Sequence, residues 1–388
     1  MGRFGWRALP GAVFVLAVIL LVPAAPAAAA DRLNPVQLVA SHDTAQSGAD
    51  LYAAACANCH GIDGRGAPLA VVDFSEPLPD FTDCSFATRE PDADWLAVTH
   101  DGGPARAFAR MMPAFGQALS TDQLARVLAH MRTFCDDPAW PRGELNLPRP
   151  LVTEKAFPED EAVLTTSVAT GGAGDVANKL VYERRLGARN QIEIVVPFTF
   201  REGAADTGTG WGAGIGDITI GMKRAVAHSL ARGSIFSAAA ELILPLGDES
   251  LGLSKGTPVF EPFIAFGQIL PSDGFVQAQA GVELPFDAET ASREAFWRVA
   301  IGRSFTQGGP FGRAWSPMVE LVAARVLASG HGAEWDLVPQ MQVTLSTRQH
   351  IMASGGVRVP LNAREGRHTQ LVFYLLWDWF DGPLFGGW

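Results

Sequence analysis

Clusters of lysine and arginine are missing from this 388-residue chain, in which 30 Lys and Arg stand against 41 Asp and Glu for a formal net charge of −11. Binding to a polyanion through counterion release needs such clusters, so nucleic acid is excluded as a partner. Charge of either sign is scarce, at 18% of residues, whereas hydrophobic residues make up 48%. Beyond the first thirty residues no run approaches the ~20 consecutive apolar residues of a membrane-spanning helix, which excludes an α-helical membrane protein. Also missing are a nucleophile–base pairing, paired carboxylates and a zinc-ligand spacing. Asp206, Asp248 and Asp273 read as solvated turn residues, and the chain reads as no enzyme. What is abundant instead, 41 Gly and 10 Trp with few charges, suits a β protein embedded in a membrane.

Residues 1–30 have the order of an export signal. Arg3 and Arg7 open it, Leu9 to Val22 form an apolar stretch short for a bilayer span, and small residues from Ala24 to Ala30 supply a cleavage site. The alternative is an uncleaved N-terminal anchor. In either case the remainder is exported, and four cysteines in an exported chain ordinarily suggest two disulfides.

The first two cysteines have a different spacing. Cys56-Ala57-Asn58-Cys59-His60 is the C-x-x-C-H pattern for attachment of a c-type haem. Two thiols three positions apart reach the two vinyl groups on one porphyrin edge, and the next residue carries an imidazole under the ring. Ser47 to Ala57 fits a short entry helix, and Gly61-Ile62-Asp63-Gly64-Arg65-Gly66 a loop able to close over a haem edge. Further on, Met111-Met112-Pro113-Ala114-Phe115-Gly116 offers a thioether sulfur for the opposite side of the iron. Met112 is the first candidate, because Pro113 fixes the backbone beside it; Met111 is the second and His100 the third. Ser120-Thr121-Asp122-Gln123 is a capping-box start for a helix with Leu124, Val127, Leu128 and Met131 on one face.

With these residues in view, positions 47–134 resemble a class I c-type cytochrome. The resemblance covers roughly a quarter of the chain and implies a small all-α domain over residues 44–137. It further implies one covalent haem c on Cys56 and Cys59, with His60 as proximal and Met112 as distal iron ligand. Cys84 and Cys135 depart from the usual small cytochrome. They can pair and fasten a loop to the end of the last helix, or remain two unpaired or metal-binding thiols.

Residues 138–160 read as a stiff, extended Pro-rich linker. From residue 161 to 388 the apolar period becomes two, as in Val276, Ala278, Ala280, Val282, Leu284 and Phe286 against Gln277, Gln279 and Glu283. About twelve such segments begin near residues 163, 178, 190, 214, 234, 258, 274, 295, 316, 335, 350 and 368. Short connections alternate with longer polar ones, the pattern of an outer-membrane barrel. An even strand number leaves both barrel ends in the periplasm, and Trp377, Trp379, Phe380 and Trp388 give the aromatic-rich finish of such barrels. Gln277, Gln279 and Glu283 fit a wet lumen; a soluble β-sandwich is the alternative. The pattern resembles small porin-like barrels related to aromatic-compound uptake channels. The expected whole is a multidomain outer-membrane protein whose haem domain lies in the periplasm. It would exchange electrons with a periplasmic redox protein or an extracellular donor or acceptor, with outer-membrane lipid around the barrel. The alternative is a small-molecule channel carrying a tethered cytochrome.

Overall fold

The computed structural model describes residues 46–72, 78–172, 174–202, 210–363 and 365–378. The export signal, Asp206, Trp379, Phe380 and Trp388 lie outside the described residues.

The N-terminal part is helical: α1 (Gly48–Ala55), α2 (Ala57–His60), α3 (Leu69–Val72), α4 (Cys84–Ala87), α5 (Asp92–Asp101) and α6 (Thr121–Met131). Reciprocal caps start the two helices that cross. The Ser47 hydroxyl accepts from Asp50 N at 3.1 Å, while Ser47 N donates to the Asp50 carboxylate at 3.2 Å. The same exchange joins Ser120 and Gln123 at the head of α6. Leu51 and Tyr52 of α1 meet Val127, Leu128 and Met131 of α6 in one buried cluster with Phe81 and Trp95. The crossing is close because position 48 has no side chain: a Cβ there would sit 2.1 Å from the Arg126 carbonyl oxygen. Cys84 and Cys135 are disulfide-bonded, with Cα atoms 5.3 Å apart, and join α4 to the chain leaving α6.

From residue 161 the chain is antiparallel sheet. The first half comprises β1 (Glu161–Ala169), β2 (Asp175–Leu186), β3 (Asn190–Glu202), β4 (Trp211–Ile215), β5 (Ile218–Ser229), β6 (Ser234–Leu244) and β7 (Val259–Leu270). The second comprises β8 (Gly274–Pro285), β9 (Glu294–Arg303), β10 (Phe305–Gln307), β11 (Arg313–Val326), β12 (Glu334–Thr344), β13 (Ile351–Pro360) and β14 (Gln370–Asp378). β4 and β5 both pair with β3, and β9 and β10 both pair with β11, so each couple forms one interrupted strand and the total is twelve. β14 pairs with β1 from Glu161↔Asp378 to Ala169↔Gln370, which closes the sheet into a barrel and leaves no free edge.

The two faces of each strand differ. In β2, Leu180 and Tyr182 are exposed while Val181, Glu183 and Arg185 are buried; in β5, Ile220 and Met222 are exposed while Lys223 is buried. Apolar side chains therefore point out of the cylinder and polar ones into it, the reverse of a water-soluble sandwich and the arrangement lipid requires. Connections at the end where the chain enters and leaves the barrel are short (187–189, 230–233, 271–273). Those at the other end include the longer 245–258 and 286–293.

Candidate haem centre and barrel interior

Cys56 caps α1, and Cys59 and His60 lie on α2, so one turn of backbone carries both thiols and the imidazole. The amides of Cys59 and His60 donate to the Cys56 carbonyl at 3.2 and 2.9 Å, which fixes this turn. Both thiols are free and half-buried. Burial, with Cys59 as the secondary cause, pushes the Cys56 thiol up to about 11, so it is a neutral thiol at physiological pH. Burial likewise lowers the His60 imidazole below its ordinary value and favours the neutral, ligating form.

Aromatic rings hold this imidazole. The His60 ring lies 5.0 Å from that of Phe81, which lies 5.3 Å from Trp95. The Tyr52 hydroxyl donates to the Gly61 carbonyl at 2.8 Å and ties the turn after His60 to α1. His60 Nδ1 is buried with no hydrogen-bond partner among the described residues. Two unpaired thiols beside a half-buried imidazole of unused bonding capacity fit a haem on the C-x-x-C-H turn. Sequence reasoning had not singled out Phe81, Trp95 or Arg132, whose guanidinium lies 3.8 Å over the Trp95 ring while its Nε donates to Asp92 at 2.8 Å. Their signal, aromatics separated by turns, is too diffuse to read without the fold.

The three candidates for the second ligand are placed differently. Met112 is half-buried, and its carbonyl accepts from Gly103 N at 3.0 Å, so the segment folds back on the end of α5. Met111 is 43% exposed. His100 Nδ1 stands 2.6 Å from its neighbour Asp101, and its ring lies 5.5 Å from that of Phe311 on a barrel turn. His100 is thus already engaged by a carboxylate and the barrel rim.

That rim carries the helical domain. Arg106 donates to the Phe311 carbonyl at 2.9 Å and to Asp94 at 2.7 Å. Arg348 reaches the carbonyls of Arg106 and Ala107 at 3.3 and 3.1 Å and covers the Phe108 ring. His350 Nε2 meets Glu90 at 3.1 Å, and Arg89 meets Asp160 at 2.7 Å. All the barrel residues involved lie at the end with short turns, or where the chain enters β1.

After a 3-10 turn at Gly143–Leu145, the connecting segment runs inside the barrel as far as β1. Leu145, Ala156 and Phe157 pack on Ala225, Ile235 and Ala265, Leu147 on Phe275 and Met318, and Leu151 on Val163, Val338 and Val372. Strands from opposite walls supply these partners, so the segment occupies the lumen. The backbone of this segment is satisfied by inward-facing side chains. Val152 N and Thr153 N donate to Glu320 at 3.0 and 2.6 Å, Leu151 N to Gln340 at 2.9 Å, Glu154 N to Gln279 at 3.0 Å and Glu159 N to Gln191 at 2.6 Å. Gln277 donates to the Pro148 carbonyl and Tyr374 to the Arg149 carbonyl, at 2.7 and 2.8 Å. Gln277 and Gln279, expected to line a wet bore, instead grip a chain. Arg149 pairs with Glu161 and with Glu183 (2.9 Å), and Lys155 with Glu159.

Comparison with known proteins agrees with the helical part. Residues 43–131 match the family model described as cytochrome C oxidase, cbb3-type, subunit III. No curated protein matches the chain significantly. Among solved structures, the barrel is similar to an outer membrane channel from Pseudomonas putida F1. That likeness has 12% identity and TM-score 0.41 and covers 60% of this chain and 100% of that one. A KdgM porin matches at 8% identity and TM-score 0.39 over 56% of this chain and 99% of its own. The beta domain of a Bordetella autotransporter matches at 12% identity and TM-score 0.33 over 56% of this chain and 97% of its own. The chain joins a c-type cytochrome domain, residues 43–131, to a closed twelve-strand β-barrel of the outer-membrane kind.

Proposed function

We propose that this protein is a haem c electron carrier seated on the periplasmic rim of an outer-membrane barrel, with one haem per chain. Cys56 and Cys59 hold it through thioethers, His60 is the proximal iron ligand and Met112 the distal one. The reading is carried by the turn at residues 56–60, where two free thiols and a half-buried imidazole with an unpartnered, buried Nδ1 share one aromatic-walled site. The bound haem supplies a one-electron couple. The chain's own residues hold and tune it: Tyr52 anchors the turn after His60, the Phe81–Trp95 wall keeps water from the imidazole, and the backbone bond of Met112 to Gly103 fixes the opposite segment. His/Met ligation leaves no open iron position and sets a higher potential than bis-His ligation, which suits transfer rather than oxygen chemistry.

The filled lumen bears on the direction of transfer. The apolar band of an outer-membrane barrel is ~25 Å tall, and the connecting segment occupies its centre here. The carrier therefore exchanges electrons with a soluble redox protein in the periplasm, and any route to the cell exterior needs a further carrier. The same filling speaks against a permanently open small-molecule channel. A redox titration of the full-length protein in detergent, followed by visible spectra, tests the assignment. The Met–iron charge-transfer band should disappear and the midpoint fall in Met112→Ala, with Met111→Ala and His100→Ala unchanged. Retention of the band in Met112→Ala would overturn the distal assignment.

A further inference from the structure

The lumen segment does more than connect two domains. It has the side-chain pattern of a removable stopper in a charged bore: apolar anchors at Leu145, Leu147, Leu151 and Phe157, with Arg149 and Lys155 both turned to Glu161 of the wall. We propose that residues 145–157 are a plug closing a latent pore, and that the pore, once cleared, selects cations. This goes beyond the electron-transfer reading and does not depend on haem attachment.

Three observations carry it. First, the wall around and beyond the plug is acidic. Glu161, Glu183, Glu193, Glu241, Glu261 and Glu320 are set on inward-facing positions, against Lys179, Arg185, Lys223 and Arg298. Farther along the strands, Arg201 and Arg358 are already paired with Asp175 and Asp336 at 2.9 and 2.6 Å. Second, the plug carries two cations, Arg149 and Lys155, against one carboxylate, Glu154, which meets Lys223 at 3.5 Å; its withdrawal leaves Glu161 and Glu183 without their cationic partners and the bore more negative. A narrow bore lined by unpaired carboxylates concentrates cations and repels anions. Third, the plug's grip is polar as well as apolar. Its amides bond to Glu320, Gln340 and Gln279, groups that water satisfies equally well once the chain has left. A permanent core would bury aliphatic side chains at those positions instead.

The plug is also mechanically tied to the cytochrome domain. Gly143 N donates to the Thr88 carbonyl at 2.8 Å just before the plug begins, and Arg89 meets Asp160 just after it ends. A force that lifts the cytochrome domain from the rim therefore acts on both ends of the plug.

The test uses the full-length holoprotein in planar bilayers under a KCl gradient. The wild type should stay closed at low voltage. Replacing residues 145–157 by Gly and Ser, length preserved, should raise conductance at least tenfold, with a reversal potential on the potassium side. Haem content and heat-modifiable mobility confirm that the replaced protein is assembled. Should that variant fail to assemble, Arg149→Ala with Lys155→Ala keeps the chain but removes its ion pairs, and should give opening events absent from the wild type. A wild type as conductive as the variants, assembled variants that stay closed, or chloride selectivity would each overturn the proposal. None of these outcomes touches the haem assignment, which the visible spectrum reports separately.

Discussion

At the residue scale, the C-x-x-C-H turn could be read from the sequence as a candidate haem site because its chemistry is local: two thiols and an imidazole need only their spacing. What surrounds it was not legible, since Phe81 and Trp95 reach His60 through the tertiary fold. Tyr52 shows how a single hydroxyl serves this site. Its bond to the Gly61 carbonyl is 2.8 Å and half-buried, so Tyr52→Phe should cost about 1 kcal/mol in unfolding of the cytochrome domain. It should also loosen the turn after His60, visible as faster amide exchange of residues 61–66. Unchanged exchange there would show that the hydroxyl is not an anchor. Position 48 makes a sharper case. A Cβ 2.1 Å from the Arg126 carbonyl oxygen meets backbone, which cannot move aside alone. Gly48→Ala should therefore separate α1 from α6 and lower the thermal midpoint by several degrees in calorimetry.

At the element scale, the twelve strand starts were readable because each strand faces two media and alternates accordingly. The connecting segment was not, because its prolines and charges describe a tether equally well. The missed signal was an apolar series, Leu145, Leu147, Leu151 and Phe157, inside an otherwise polar stretch; all four are buried. Glu320 is the clearest point of contact. It accepts from Val152 N, Thr153 N and the Thr153 hydroxyl, and Gln340 donates to it as well. Glu320→Ala should leave buried donors without partners, at about 1–3 kcal/mol each, and lower the temperature at which the barrel loses heat-modifiable mobility. Leu321→Ala, one residue on and facing outward, should shift that temperature far less. The disulfide between Cys84 and Cys135 closes a loop across a separation of 51 residues. On chain-entropy grounds its removal by paired serines costs ~4 kcal/mol, measured as a lower denaturant midpoint of the cytochrome domain with the barrel unchanged.

At the scale of the whole molecule, a cytochrome domain sits on the short-turn rim of a barrel that its own connecting segment fills. The docking relies on Arg106, Arg348 and the Glu90–His350 pair. Arg106→Ala with Arg348→Ala should raise amide exchange at 308–312 and 345–350 while leaving the visible spectrum intact. The order of domains could be read from the sequence, but this seating could not, because carbonyl acceptors such as those of Phe311 and Ala107 carry no sequence signature. The most direct test of the whole account is whether haem stays with the chain after acid–acetone extraction and denaturing electrophoresis of the full-length protein. One haem per chain should remain bound, and Cys56→Ser with Cys59→Ser should abolish it while the barrel still assembles. Haem that extracts freely from the natural protein, or that persists without both thiols, would contradict it.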